Sequence, residues 1–375
     1  MMRAVTRIIA AYRIRSDARA IEERAKAIAV EQSVEMPVQA IDDRKVLDEI
    51  VGRVESIEDR RDGTFAVRIG LATATTGPEP GQLLNMLFGN SSIHDDVTLE
   101  DAEFPAEIAA AFGGPRHGLY GLRKRCGAPT GTSARAMTCS ALKPQGLPAE
   151  ALAALAGRMA EGGIDYIKDD HGLADQAYSP FAQRARHCGR AVAAANKKTG
   201  GRTRYAPSLS GNLDQMRKQV AAARDEGVDT LLIAPMVAGL ATFHALVREF
   251  PEMGFMAHPA MAGASRIAPP LLIGKLFRLL GADATIFPNH GGRFGYSPAT
   301  CRALANAALG KLDGLKPCVP VPAGGMTLAR VGEMLDFYGP DVMLLIGGGL
   351  LAAREKLADE TAAFARHVAG FAHRK

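Results

Sequence analysis

From residue 133 onward the chain alternates short apolar runs with longer amphipathic ones, and few folds accommodate that order. The strand-like segments are ARAMTCSALK, IDYIKDD, RYAPSLS, DTLLIAPMV, GFMAHPAM, ATIFPNH, PCVPVPAGG and DVMLLIGGG. After each comes a helical pattern rich in Ala and Leu, such as AEALAALAGRMAEG or FAQRARHCGRAVAAANKK. Strands buried on both faces read as continuous apolar runs, and helices that cover them read as amphipathic, so the alternation predicts a parallel sheet wrapped by helices. Eight strand–helix pairs in about 240 residues match a closed (β/α)₈ TIM barrel. An open doubly wound sheet has the same local pattern and stays open as an alternative.

Residues 1–125 follow a different order. A strand (VTRIIAAYRI), a helix (ARAIEERAKAIAVEQ), a strand (TFAVRIGLATAT), a helix (GQLLNMLFG) and a strand (DVTLEDAEF) predict a smaller N-terminal α+β domain of ferredoxin-like kind. The Gly-Pro-rich stretch from Gly113 to Gly127 is the expected joint, with the barrel taking residues 126–375.

Composition narrows the class. With 47% hydrophobic and 23% charged residues, 375 residues can bury a full core, which excludes a disordered chain. The net charge of +5 comes from scattered Lys and Arg, which favours an anionic small molecule over nucleic acid. Five widely spaced cysteines without a C-x-x-C pair indicate neither a disulfide framework nor a zinc site, and point to a reduced, cytoplasmic protein. The opening MMRAVTRIIAAYRIRSD has an apolar run broken by Arg7 and Arg13 and reads as a strand, not a signal peptide. No apolar stretch approaches the roughly 20 residues that span a bilayer.

Barrels of this kind place their chemistry at the C-terminal ends of the strands. Polar residues that interrupt the apolar runs there are Lys143; Lys168, Asp169, Asp170 and His171; Ser208 and Ser210; His258; and Asn289, His290 and Arg293. Alternation puts Lys168 and Asp170 on one face and Asp169 on the other, with His171 free to turn inward where the strand bends into its loop. Lys168 and Asp170 pointing into the mouth could serve a divalent ion; a solvated Lys–Asp pair is the plainer reading. Gly324-Gly325 and Gly347-Gly348 leave backbone N–H groups bare for a phosphate, or simply make tight turns. His258 alone reads as a satisfied polar residue and Arg293 alone as a surface charge; their places at successive strand ends favour function.

The segments ALKPQGLP, GGIDYIKDDHGLADQ, FMAHPAM, PVPAGGM and IGGG, in that order on five of the strands, resemble the RuBisCO large-chain family. VEQS, LFGNSS and GPRHGLYGLRKRCG extend the likeness over nearly the whole chain. The resemblance implies that Lys168 is carbamylated by CO₂ and joins Asp170 in holding Mg²⁺. It implies that Lys143 handles protons at the enolising carbon and that His258 is the family's strand-5 histidine. By the same resemblance Arg293 stands where the family has a mobile-loop lysine, and Gly324, Gly325, Gly347 and Gly348 look like phosphate-binding glycines. Glu31 and Asn90 would complete the site of a neighbouring subunit in a homodimer or larger assembly.

Departures from the family pattern argue against carbon fixation. A metal carboxylate is replaced by His171, whose imidazole suits other divalent metals better than Mg²⁺. Gln145 stands for a second lysine, and Pro259, Ile286 and Ala323 stand where the family has an arginine, a histidine and a serine. Loss of those three groups implies one phosphate site instead of two, the pattern of form IV, the RuBisCO-like proteins. The Lys-Asp-Asp-His and Lys-Pro-Gln-Gly segments lead to an expected decarboxylase or C–C hydrolase of a phosphorylated keto-sugar acid such as 3-oxo-isoapionate 4-phosphate. The alternatives are enolisation or isomerisation of a methylthio-sugar phosphate in methionine salvage, a Schiff-base aldolase using Lys143 or Lys168, and a non-catalytic phosphate-ligand sensor.

Overall fold

The structure, a computed structural model, describes residues 5–312 and 314–371. They form two compact units: 5–114 with 261–272, 312 and 314–315, and 115–260 with 273–311 and 316–371.

The first unit is built on an antiparallel sheet of β1 (Arg7–Arg15), β2 (Arg53–Asp59), β3 (Thr64–Ala72) and β4 (Val97–Glu103), in the order β2-β3-β1-β4. Helix α1 (Ile21–Glu31) connects β1 to β2, and α2 (Pro80–Phe88) lies between β3 and β4. This is the expected ferredoxin-like order, completed by a strand that the sequence hid. Ile8, Ala10, Tyr12 and Ile14 alternate along β1 and are all buried, as a one-sided sheet requires. The buried Tyr12 hydroxyl donates to the Leu87 carbonyl at 2.6 Å and ties β1 to α2. Helix α2 starts where Glu79 accepts the N–H groups of Gly81 and Gln82, with Pro80 in the first turn.

All eight expected barrel strands form: β5 (Met137–Leu142), β6 (Tyr166–Asp169), β7 (Arg204–Ala206), β8 (Thr230–Ile233), β9 (Gly254–Ala257), β10 (Ala284–Pro288), β11 (Val319–Ala323) and β12 (Met343–Leu345). Parallel ladders run β12-β5-β6-β7 and β8-β9-β10-β11. The Ser208–Leu232 bridge joins the ends of β7 and β8, and β11 lies beside β12, so the ring closes into a TIM barrel and the open-sheet alternative falls. Inward-facing Met137, Cys139, Tyr166, Ala206, Met256, Val319, Val321 and Met343 fill the interior as one apolar cluster.

Residues 115–125, expected at the end of the first domain, pack with the barrel instead. Leu119, Leu122 and Cys126 of the helix Gly118–Cys126 join the interior cluster, and the Tyr166 hydroxyl donates to the Leu122 carbonyl at 2.8 Å. The helix therefore floors the barrel at the N-terminal ends of the strands, opposite the end where chemistry is expected. No helix among the described residues is long and apolar enough to cross a membrane.

Candidate active site

The C-terminal ends of β5, β6 and β9 bring four of the expected residues together. Lys143 follows β5 directly, and its ammonium is ion-paired with Asp170, just beyond β6. The other Asp170 oxygen lies 3.2 Å from His171 Nδ1, and the Gly172 N–H donates to it at 2.9 Å. His171 turns inward: its ring stacks on His258, beyond β9, at 4.2 Å and 8° between planes. Burial alone would raise the Asp170 carboxyl, but hydrogen bonds from His171, Lys143 and Gly172 overcome it and hold the group far below the usual carboxylate range.

Lys168 sits deeper in the mouth, 4% exposed, with Nζ donating to the Asp169 carbonyl at 2.8 Å. Burial pushes its pKa down, although nearby acids oppose the shift. Burial, reinforced by Lys168 and His171, lowers the His258 imidazole to about 2, so the ring is neutral. Its Nδ1 accepts the Ala260 N–H at 3.1 Å, which leaves Nε2 to carry the ring proton.

Of the expected phosphate glycines, Gly347 borders this cluster, and Gly324 and Gly325 meet the β10 loop. A Cβ on Gly347, after β12, would lie 3.9 Å from both Ala141 and Lys143, so that strand end borders the lysine. Gly324 and Gly325, after β11, have φ of +84° and +82°, which favours glycine at both positions. A Cβ on Gly325 would lie 2.9 Å from the Gly292 Cα, so the β10 loop leans on this turn. Arg293 in that loop is exposed, with its guanidinium 5.1 Å from the Phe294 ring. The structure does not seat it among Lys143, Asp170, His171 and His258. Asn289 is a correction. It is fully buried, donates to the sulfurs of Met326 and Met334 and accepts from the Tyr338 hydroxyl at 2.7 Å, so it serves packing.

In the first unit, Asn90 Nδ2 donates to Glu31 Oε1 at 2.8 Å, which brings that expected pair together. Gln32 was not among the expected residues; its buried amide donates to the Asn85 and Met86 carbonyls and accepts the Ser91 N–H, locking the two segments to each other. Its only signal was adjacency to Glu31.

Three comparisons place this arrangement. The family described as "Ribulose bisphosphate carboxylase large chain, catalytic domain" matches residues 129–364. A 5-methylthioribulose-1-phosphate isomerase from Rhodospirillum rubrum is 62% identical over 98% of both chains. A 2,3-diketo-5-methylthiopentyl-1-phosphate enolase from Geobacillus kaustophilus is 32% identical over 80% of this chain and 73% of its own. The crystal structure of a Rubisco-like protein from Rhodopseudomonas palustris superposes with a TM-score of 0.91 at 55% identity, covering 99% of each chain. The chain belongs to the RuBisCO large-chain family, and within it to form IV, the RuBisCO-like proteins.

Proposed function

We propose that the chain is an isomerase that moves a proton along the carbon chain of a ketose monophosphate through an enediolate, with 5-methylthioribulose 1-phosphate as substrate. The convergence of Lys143, Asp170, His171 and His258 beside a buried Lys168 carries the reaction class. The substrate rests on full-length likeness to the Rhodospirillum rubrum isomerase. The sugar-acid phosphate expected from the strand-end segments has no counterpart among the relatives described above, whereas the methylthio-sugar alternative has two.

Removing a proton beside a ketone leaves charge spread over two oxygens, which needs a positive partner and a placed proton carrier. Lys143 is the carrier in this reading: as the neutral amine it takes the proton from the carbon beside the ketone, and as the ammonium, aimed by Asp170, it returns a proton to the neighbouring carbon of the enediolate. The neutral His258 donates a hydrogen bond to a substrate oxygen through Nε2. Bare N–H groups at Gly324, Gly325, Gly347 and Gly348 take the phosphate, and Arg293 approaches it from its loop.

A metal fits the donor set conditionally. Among the described residues, no three His, Cys, Asp or Glu side chains gather as a metal site, so Lys168 must contribute. Its buried, depressed amine is suited to react with CO₂, and the carbamate would join Asp170 and His171. Asp170, 5% exposed, already pairs with a cation in Lys143. Mg²⁺ or another divalent ion held there would supply Lewis acidity toward the two enediolate oxygens.

The test is turnover of 5-methylthioribulose 1-phosphate with divalent metal and bicarbonate. An isomeric ketose phosphate is expected. Phosphate-ligand binding with no product would sink the isomerase in favour of a sensor, and a borohydride-trapped lysine adduct would favour the Schiff-base aldolase. Gly325→Ala is expected to raise KM about 10-fold or more with kcat less affected, because the new Cβ strains a left-handed backbone at the phosphate turn. An unchanged KM would remove that turn from the binding site.

The active form is a homodimer or larger assembly in which Glu31 and Asn90 serve a neighbouring subunit. Asn90→Ala and Lys168→Ala proteins, each nearly inactive alone, are expected to recover activity when refolded together, since one site of the mixed dimer is intact. No recovery would place both residues in the site of one chain.

A further inference from the structure

Asp169 has no role in the chemistry above, yet it is fully buried as a charged group next to two residues that do. Alternation turns its side chain away from the mouth, where Oδ2 receives Arg184 Nε at 2.8 Å and the Ser208 N–H at 3.0 Å, and Oδ1 receives the Tyr205 hydroxyl at 2.7 Å. Arg184 is equally buried, on the helix Phe181–Thr199. Its remaining donors go to the loop between β6 and that helix: Nη2 to the Ala174 carbonyl at 2.7 Å and Nη1 to the Ser179 carbonyl at 2.5 Å. That loop begins with Asp170 and His171.

We infer that Arg184 is a positioning residue for the reaction: its guanidinium clamps the β6 loop at both ends against Asp169 and so fixes where Asp170 and His171 stand. The planar fork is what permits this, because one side chain serves a carboxylate and two carbonyls in fixed directions. A lysine can neutralise Asp169 but cannot hold all three. The strand end on one side of Asp170 is fixed by the sheet, and the Asp169 carbonyl also receives Lys168 Nζ. Arg184 supplies the restraint on the other side. The phosphate glycines follow other strands, β11 and β12, and none of the hydrogen bonds of Arg184 reaches them.

This inference rests on the reading of Asp170 as a member of the reacting site, and the experiment separates the two. Arg184→Lys keeps the charge beside Asp169, and the double variant Asp169→Asn, Arg184→Met removes both charges together, so that neither leaves a lone buried ion. Both are measured for thermal midpoint, kcat and KM, alongside Asp170→Ala. The expectation is kcat down about 100-fold, as for a displacement near 1 Å, with KM within about twofold. It holds in any variant whose thermal midpoint stays near that of the parent protein. Parent-level kcat in both folded variants, with Asp170→Ala inactive, overturns the positioning role and leaves the site standing. Full activity in Asp170→Ala overturns both. Equal losses in kcat and stability, recovered together in the double variant, would show that the pair only holds the fold, and also overturn the proposal.

Discussion

Lys168→Ala is expected to lower turnover by about 10³-fold or more while the protein stays folded and still binds phosphorylated ligands. The asymmetry follows from where the amine sits. Lys168 is 4% exposed, and the one hydrogen bond of its Nζ goes to the Asp169 carbonyl, so burial disfavours its charge without a tight ion pair to compensate. Removing such a group takes away a desolvated amine that contributes little to stability. It also takes away the amine proposed to add a carbamate to Asp170 and His171, where no third His, Cys, Asp or Glu gathers among the described residues. Kinetics of the variant with and without bicarbonate provide the check. Parent-level activity, or equal loss of activity and thermal stability, would count against the role given to Lys168.

Asp283→Ala is expected to have the opposite character, a large loss of stability at a distance from the chemistry. The fully buried carboxylate accepts the N–H groups of His117 at 2.7 Å, Gly118 at 2.6 Å and Phe255 at 2.9 Å, fastening the floor helix to the start of β9. Alanine leaves three buried donors unmatched, at about 1–3 kcal/mol each. At about 2–4 °C per kcal/mol the melting temperature should fall by on the order of 10 °C. The variant should keep its kcat below the new midpoint, because the floor lies at the far end of the barrel. A melting temperature within a degree or two of the parent would mean that water or a shifted backbone satisfies the three donors.

These cases also show what a sequence can disclose. Barrel strands were legible because burial on both faces makes them continuous apolar runs between amphipathic helices. Closure was not, since it depends on the short contacts between β7 and β8 and between β11 and β12. β2 was missed because RVESIED is almost wholly exposed and carries no alternation. Lys143, Asp170 and His258 could be picked out as polar interruptions at strand ends. The same rule misplaced Asn289, because a strand-end amide reads alike whether it faces a ligand or is satisfied by Tyr338 and two methionine sulfurs. Arg184 escaped notice altogether. In FAQRARHCGR it is one of several basic residues on an amphipathic helix, and nothing local distinguishes the one that turns inward to Asp169. The strand-end motifs could not choose between a sugar-acid phosphate and a methylthio-sugar phosphate for a related reason: they report the strand-end machinery that the family shares, not the group at the far end of the sugar.

Proton movement by Lys143 at a carbon beside the ketone leaves its mark in solvent exchange. In D₂O, with 5-methylthioribulose 1-phosphate, divalent metal and bicarbonate, NMR should show deuterium entering that carbon with the parent protein and not with Lys143→Met. Isomeric product formed with no deuterium incorporated, or exchange undiminished in the Lys143 variant, would contradict the account.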